Sequence, residues 1–294
     1  MSGLVDFHIH SFNSSDGDFS PAELVGMAVA QGFRAICIAD HDTVAAYPEA
    51  VELGRRAGVE VIPSIEVTTL FGEREFHVLL PFVDWNSPTL AGIIAKVGRA
   101  RLSEAQERVG KLGEMGLPIT WEEVLEKSGS NVPLGVSVAA QLLAKDEART
   151  IPSLAVYLDE KNRDFAPYMF YRDFFMEGRP AFVSKRTINV FEVMALAPET
   201  GGVPVLSHPG AYFQQTTRDD LVKLKDAGLR GVEVFTTYHE PEQTAYFKSV
   251  AEELDLVPTA GSDFHGRIKP HIRFGAVRDG HYGMVERLRN GRGA

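Results

Sequence analysis

Cysteine is nearly absent: the 294 residues hold one, Cys37. This excludes an intrachain disulfide and any thiolate cluster for zinc or an iron–sulfur group. Cys37 lies in the run Arg34-Ala35-Ile36-Cys37-Ile38-Ala39, which reads as a buried strand with an inert thiol. Long hydrophobic runs are missing too. No stretch approaches the ~18 apolar residues of a membrane span. No basic-then-apolar leader precedes Asp6 and His8. Both absences predict a cytoplasmic protein with no membrane partner. Positive charge is in deficit, with 30 Lys plus Arg against 40 Asp plus Glu and a net charge of −10 with His neutral. Sequence-independent binding of duplex nucleic acid needs a basic footprint and is not expected. A small anionic substrate stays open, because bound metal ions can reverse the local field. There is no glycine-rich nucleotide loop, internal repeat or low-complexity tract.

What is present is a globular composition, 44% hydrophobic and 24% charged. The length suits one large domain, or a domain with an inserted subdomain. The first 85 residues alternate strand and helix. Residues 4–10, 34–39, 59–67 and 76–82 read as strands. Ser20-Pro21-Ala22-Glu23 is a capped helix start, and that helix ends at Gly32. A second helix covers 44–57. From Ser87-Pro88 the texture changes to a long helix with Leu90, Ile93, Ile94, Val97, Val109 and Leu112 at helical spacing. Thr120 to Glu123 is another capping box, and residues 135–180 show no strand pattern. The rhythm then returns, with strands at 203–207, 231–235 and 256–260 and helices at 187–198, 217–227 and 241–254. Short apolar runs between amphipathic helices predict an α/β fold with a parallel sheet or barrel. The barrel covers 1–88 and 185–294 and is interrupted by a mostly helical insert over 89–184.

The nine histidines are unevenly placed. His8 and His10, two apart on one strand, face the same side. His41, His208 and the Asp263/His265 pair each follow a predicted strand. Glu66 ends a strand, His77 lies within one, and Asp16 lies in the loop after the first. The C-terminal strand ends of a β/α barrel converge on one face, where active sites are built. About nine ligands would therefore line one cup. Imidazole with carboxylate suits zinc, manganese or iron. Nine ligands exceed what one ion holds at four to six coordination, so two or three ions are expected.

The motifs Asp6-Phe7-His8-Ile9-His10-Ser11, Ser15-Asp16-Gly17, Asp40-His41-Asp42, Glu66, His77, His208-Pro209 and Ser262-Asp263-Phe264-His265 resemble those of the PHP (polymerase and histidinol phosphatase) superfamily. The resemblance spans residues 4 to about 268, apart from the insert. It implies a distorted (β/α)7 TIM-like barrel with a trinuclear centre of manganese, zinc or iron (Fe2+/Fe3+). By resemblance, His8, His10, Glu66 and Asp263 hold one ion. Glu66, His77 and His208 hold a second, with Glu66 bridging, and Asp16, His41 and His265 hold a third. Asp6, Asp40 and Asp42 read as groups that orient the ligating imidazoles.

Such a centre lowers the pKa of a bound water, so that hydroxide attacks a phosphoryl group without a Ser or Cys nucleophile. Ser207 and Ser262 flank ligands but have no expected role. His239, in Thr237-Tyr238-His239-Glu240-Pro241, is a candidate general acid. Lys185, Arg186, Arg267 and Arg101 are candidate phosphate contacts. The aromatic stretch around Tyr168 to Tyr171 reads as insert core. The insert resembles that of PHP phosphatases acting on nucleotides, including nucleoside 3′,5′-bisphosphates and short RNA ends. Those enzymes carry an Arg and a His before an insert helix, whereas Leu134 to Ala139 has neither. The expectation is a metal-dependent phosphoesterase acting on the monoester of a small phosphorylated metabolite or nucleotide. The alternatives are a cyclic-phosphate phosphodiesterase, a histidinol phosphatase, or a non-catalytic metal-binding regulatory domain. The complete ligand set argues against the last.

Overall fold

The computed structural model describes residues 3–14, 16–129 and 131–291, so Ser15 of the Ser15-Asp16-Gly17 motif lies outside the described residues. The chain begins with β1 (Leu4–Ile9), α1 (Pro21–Ala30), β2 (Phe33–Ile38), α2 (Glu49–Ala57) and β3 (Glu60–Val61). Ser20 caps α1 in a reciprocal box with Glu23, and Pro21 occupies its first turn. α2 starts later than residue 44 because residues 45–48 form turns before it.

The expected strand over 59–67 is broken. β3 ends at Val61, and Pro63, which lacks an amide hydrogen, falls in the gap. A hairpin follows, made of β4 (Glu66–Phe71) and β5 (Arg74–Leu79). Gly72-Glu73 closes it, and Gly72 sits at φ +64°, the sign that primed hairpin turns require at their first central position.

The helical stretch comprises α3 (Pro88–Glu114), α4 (Trp121–Ser128), α5 (Gly135–Leu143), α6 (Ala155–Leu158) and α7 (Ala166–Phe174), with short 3₁₀ turns between them. No described residue between 88 and 187 is in a strand. Then come β6 (Ile188–Asn189), α8 (Val190–Leu196), β7 (Val205–Leu206), α9 (Arg218–Asp226), β8 (Gly231–Thr236), α10 (Pro241–Glu253), β9 (Val257–Gly261) and α11 (Tyr282–Asn290). The sequence reading missed α11 and the two-residue β6.

The strands form two sheets. β1, β2 and β3 pair in parallel, and the other six run in the order β6-β4-β5-β7-β8-β9. β5 is antiparallel to both β4 and β7, so the second sheet is mixed rather than purely parallel. Single bridges, Ile9 with Phe264 and His41 with Glu66, connect one sheet to the other. The candidate ligands gather along this seam.

The apolar cores explain how the helices sit. Leu90, Ile93 and Val97 of α3 pack with Val67, Phe76, Val78 and Val232 of the six-stranded sheet and with Ile65 just before β4. Val109 and Leu112, farther along the same helix, instead join Leu142, Phe170 and Phe175 in a separate helical core. α3 thus belongs to both regions and fixes one over the other. No described helix is long and apolar enough to cross a membrane.

Candidate metal centre

Glu66 is the first residue of β4 and is fully buried. Its Oε2 lies 3.1 Å from His8 Nε2, 3.4 Å from His10 Nε2 and 3.2 Å from His41 Nδ1. Its Oε1 lies 3.0 Å from His77 Nδ1 and 3.2 Å from His208 Nε2. One carboxylate therefore faces two groups of imidazoles, one per oxygen. Asp263 Oδ1 closes the first group, 3.2 Å from His8 Nε2 and 3.1 Å from His10 Nε2. Asp16 Oδ2 lies 3.6 Å from His41 Nε2 and 3.4 Å from His265 Nε2.

All nine expected ligand residues therefore meet in one cup. Among the described residues, three sets place ligand atoms close enough for a shared ion: His8, His10, Glu66 and Asp263; His10, Asp16, His41 and His265; and His41, Glu66 and His77. The first set is the expected one. The second adds His10 to the expected three. In the third, His41 stands where the resemblance put His208, although His208 keeps its contact with Glu66.

The donor atoms fit a cation. His8 Nε2, His41 Nδ1, His265 Nε2 and Glu66 Oε2 are buried with no hydrogen-bond partner, although some lie little more than 3 Å apart. Close approach without hydrogen-bond alignment is what lone pairs converging on a common point produce. Left unpaired, each such group would cost about 1–3 kcal/mol. Burial alone would raise Glu66, but the imidazoles of His8, His41 and His77 hold it well below the usual carboxylate range. Burial likewise opposes Asp263, yet Lys269 and His265 keep it well below that range. The backbone is also held in unusual conformations here. Asp42, His208 and Asp263 take φ of +53°, +24° and +56°, a left-handed region that side chains avoid unless the surroundings impose it.

The groups expected to orient the imidazoles act differently. Asp6 accepts the amides of His8 and Ser262, each at 3.0 Å. Asp40 accepts the amide and hydroxyl of Ser11, each at 2.6 Å. Asp42 accepts the Thr68 amide and pairs with Arg101. These carboxylates hold the main chain that carries the ligands. The rings are oriented by residues the sequence reading missed. Glu233 Oε1 lies 3.2 Å from His8 Nδ1, while its Oε2 accepts the His208 amide at 2.8 Å. Glu75 Oε1 lies 2.8 Å from His77 Nε2. Glu233 was visible as the one charged residue in the apolar run Gly231 to Phe235, and Glu75 as the residue two before His77 on the same strand face.

The cup opens into a pocket of ≈ 180 Å³. Its floor includes Asp16, His41, His77, His208 and Asp263, and its other walls include Arg108 of α3, Leu134 and Gly135, and Tyr168 and Tyr171 of α7. Two residues of the aromatic stretch thus face the pocket, while Phe170 is core. Arg101, Lys185 and Lys269 line it as well. Lys185 pairs with Glu75, and burial pushes its ammonium down to about 8. Burial also works against Lys269, but Asp263 outweighs it and holds that lysine well above its ordinary value.

Three expected site residues, the contacts Arg186 and Arg267 and the candidate general acid His239, are not brought to the cup. Arg186 is exposed and pairs with Glu107 at 3.2 Å. Arg267 has a side chain 84% exposed, pairs with Asp18, and faces a neighbouring pocket with Arg163. The His239 ring is spent on the main chain: Nδ1 donates to the Val234 carbonyl and Nε2 accepts from the Gly210 amide, both at 2.9 Å. Neither nitrogen has a proton to offer the pocket.

Residues 6–127 match the family model of the PHP domain. The phosphoribosyl 1,2-cyclic phosphate 1,2-diphosphodiesterase of Eggerthella lenta is 29% identical over 92% of this chain and 98% of its own. A 5′-3′ exoribonuclease of Haemophilus influenzae is 27% identical over 90% and 91%. A crystal structure from Bifidobacterium adolescentis, described as a candidate metal-dependent phosphoesterase, superposes with a TM-score of 0.84 at 26% identity, over 99% of this chain and 96% of that one. The chain thus carries a match to the PHP domain over residues 6–127, is similar over nearly its whole length to a candidate metal-dependent phosphoesterase, and buries clusters of side chains that could hold metal ions.

Proposed function

We propose that this protein hydrolyses the phosphate monoester of a small metabolite or nucleotide in the pocket between the imidazole–carboxylate cup and helices α3, α5 and α7. The carrying observation is that one pocket joins the ligand cluster to Arg101, Lys185 and Lys269. The nine residues His8, His10, Asp16, His41, Glu66, His77, His208, Asp263 and His265 would hold two or three ions of manganese, zinc or iron. Bound metal supplies an ionised water near neutral pH and neutralises phosphoryl charge. The chain's own groups do the rest. Glu233 and Glu75 hold His8 and His77 in register. The lysines on the walls receive phosphate oxygens. Tyr168, Tyr171 and Leu134 enclose the organic part and exclude water. In this reading the two sheets act together as the distorted barrel, over 1–88 and 185–294, and segment 89–184 is its lid. A pocket of this size suits a small molecule or a strand end rather than a duplex.

A cyclic phosphodiester is the second reading, favoured by the activity named for the Eggerthella lenta relative. An oligonucleotide end is a related substrate, suggested by the exoribonuclease relative. The test is a screen of manganese-reconstituted protein against aryl phosphate, sugar phosphates, nucleoside bisphosphates, cyclic phosphates and short RNA. Free phosphate and product mass are read together. Phosphate release from monoesters is expected. A ring-opened product without release would move the assignment to diesters, and no turnover of any ester by metal-replete protein would overturn it.

A further inference from the structure

We propose that Lys269, held by Tyr238, is a direct contact to the phosphoryl group that is transferred. The proposal rests on the phosphoesterase reading and assigns it a residue outside the metal ligands. Lys269 lies four positions after His265, just beyond a 3₁₀ turn over Gly266–Ile268. Its Nζ donates to Asp263 Oδ2 at 2.6 Å and to the Tyr238 hydroxyl at 2.9 Å. The Tyr238 hydroxyl donates to the same carboxylate oxygen at 2.7 Å. Asp263 presents its other oxygen to His8 and His10. One carboxylate is all that separates the ammonium from the ligating imidazoles. Lys269, Tyr238, Asp263 and His208 line the same pocket, and the Tyr238 ring lies 5.0 Å from that of His208.

Two features set this lysine apart from the other cations of the pocket. Arg101 pairs with Asp42, Lys185 with Glu75 and Arg108 with Glu104, none of them in the ligand set. Lys269 alone among these four pairs with a ligand carboxylate, so an anion at the cup comes within its reach. Its ammonium also has three donors, of which Asp263 and Tyr238 take two. Its side chain is largely buried on the pocket wall, so the spare donor is partly withdrawn from bulk water. A phosphoryl oxygen would complete its hydrogen bonding through a strong, charge-assisted bond.

The rival role is structural: Lys269 could only hold Asp263 in place. Lys269→Gln separates the two, since the amide can still donate to Asp263 while the charge is lost. Tyr238→Phe is the second variant and leaves the ammonium in place. Full-length protein loaded with manganese is assayed for metal content, for affinity for inorganic phosphate by calorimetry, and for kcat/KM on an aryl phosphate and a nucleotide. In Lys269→Gln, metal content should hold and phosphate affinity should fall on the order of tenfold to a hundredfold. The two esters should lose equally, because the contact is to the group they share. Lys269→Arg should recover part of the loss, and Tyr238→Phe should give a smaller one. Loss of metal with unchanged phosphate affinity per loaded site would overturn the proposal, as would loss on the nucleotide alone or no change. Wild-type protein that does not bind phosphate also overturns it. Wild type that binds phosphate but hydrolyses no ester refutes the functional reading and leaves the contact standing.

Discussion

The sheet region and the helical region treat buried polarity in opposite ways. At the seam of the sheets, His8, His10, Glu66, Asp263 and His265 are buried almost completely, and several of their donor atoms have no partner. In the helical region the buried set is mainly apolar, including Val109, Leu112, Leu142, Phe170 and Phe175. The Thr120–Glu123 capping box satisfies one of its helix starts, and its buried atoms without partners include Arg108 Nε and Gln141 Oε1. One region stores electrostatic tension for a ligand to relieve, and the other is a conventionally packed body. The difference teaches that chemistry and enclosure are separable here, joined mainly through α3.

The contrast can be broken by substitution. The largest effect is expected from Glu66→Ala, which removes the carboxylate facing five imidazoles. Activity should fall at least about a thousandfold, or about 4 kcal/mol, with loss of more than one metal ion per chain by elemental analysis. Asp16→Ala should be milder, since Asp16 pairs with two imidazoles, those of His41 and His265. Near-normal metal content in Glu66→Ala would remove its bridging role. Leu142→Ala, in the helical core, should cost about 3 kcal/mol of stability in a denaturant titration. Metal content measured below the transition should be unchanged, and if it falls, the two regions are not separable. Glu233→Gln should lower metal affinity roughly tenfold to a hundredfold, measured by competition with a chelator, while the fold stays intact by circular dichroism. The smallest contrast is between two adjacent cations. Lys185→Ala should lower kcat/KM about tenfold, and Arg186→Ala should leave it within about twofold, as an exposed ion pair implies. Equal losses would mean that Arg186 swings into the pocket when substrate binds.

The candidate ligands were legible as a group because most are tied to a local signal. His8 and His10 share a strand face by their spacing, and His41, His208 and Asp263 follow apolar runs that could only be strands. A strand end is a rigid address, so local pattern was enough. The wall residues were not legible because their positions depend on how distant segments cross. Arg108 reaches the pocket only because α3 continues past the sheets, and Gly135 leaves room for it: a Cβ there would lie 2.7 Å from the Tyr171 ring and 3.0 Å from Arg108 Nη1. Arg267 and Lys269 are two residues apart and chemically alike in sequence, but the turn after His265 sends one outward and the other into the pocket. Strand direction was missed for a related reason. Alternating strands and helices imply parallel pairing, while the β4–β5 hairpin turns on two residues.

That hairpin makes chain length itself a control on the site. Thr68 pairs with His77, and Glu66 lies two residues before Thr68, so Glu66 and His77 are diagonal neighbours on one face. Side chains alternate between faces with every residue. An insertion of two at the Gly72-Glu73 tip would leave His77 beside Glu66, whereas an insertion of one would aim it away from the cup if the pairing slipped to accommodate it. The tip lies at the far end of both strands from Glu66. Where the tight turn is kept, variation there is thus filtered by parity: an odd step taken up by slipped pairing would reach the candidate metal centre without touching a candidate ligand.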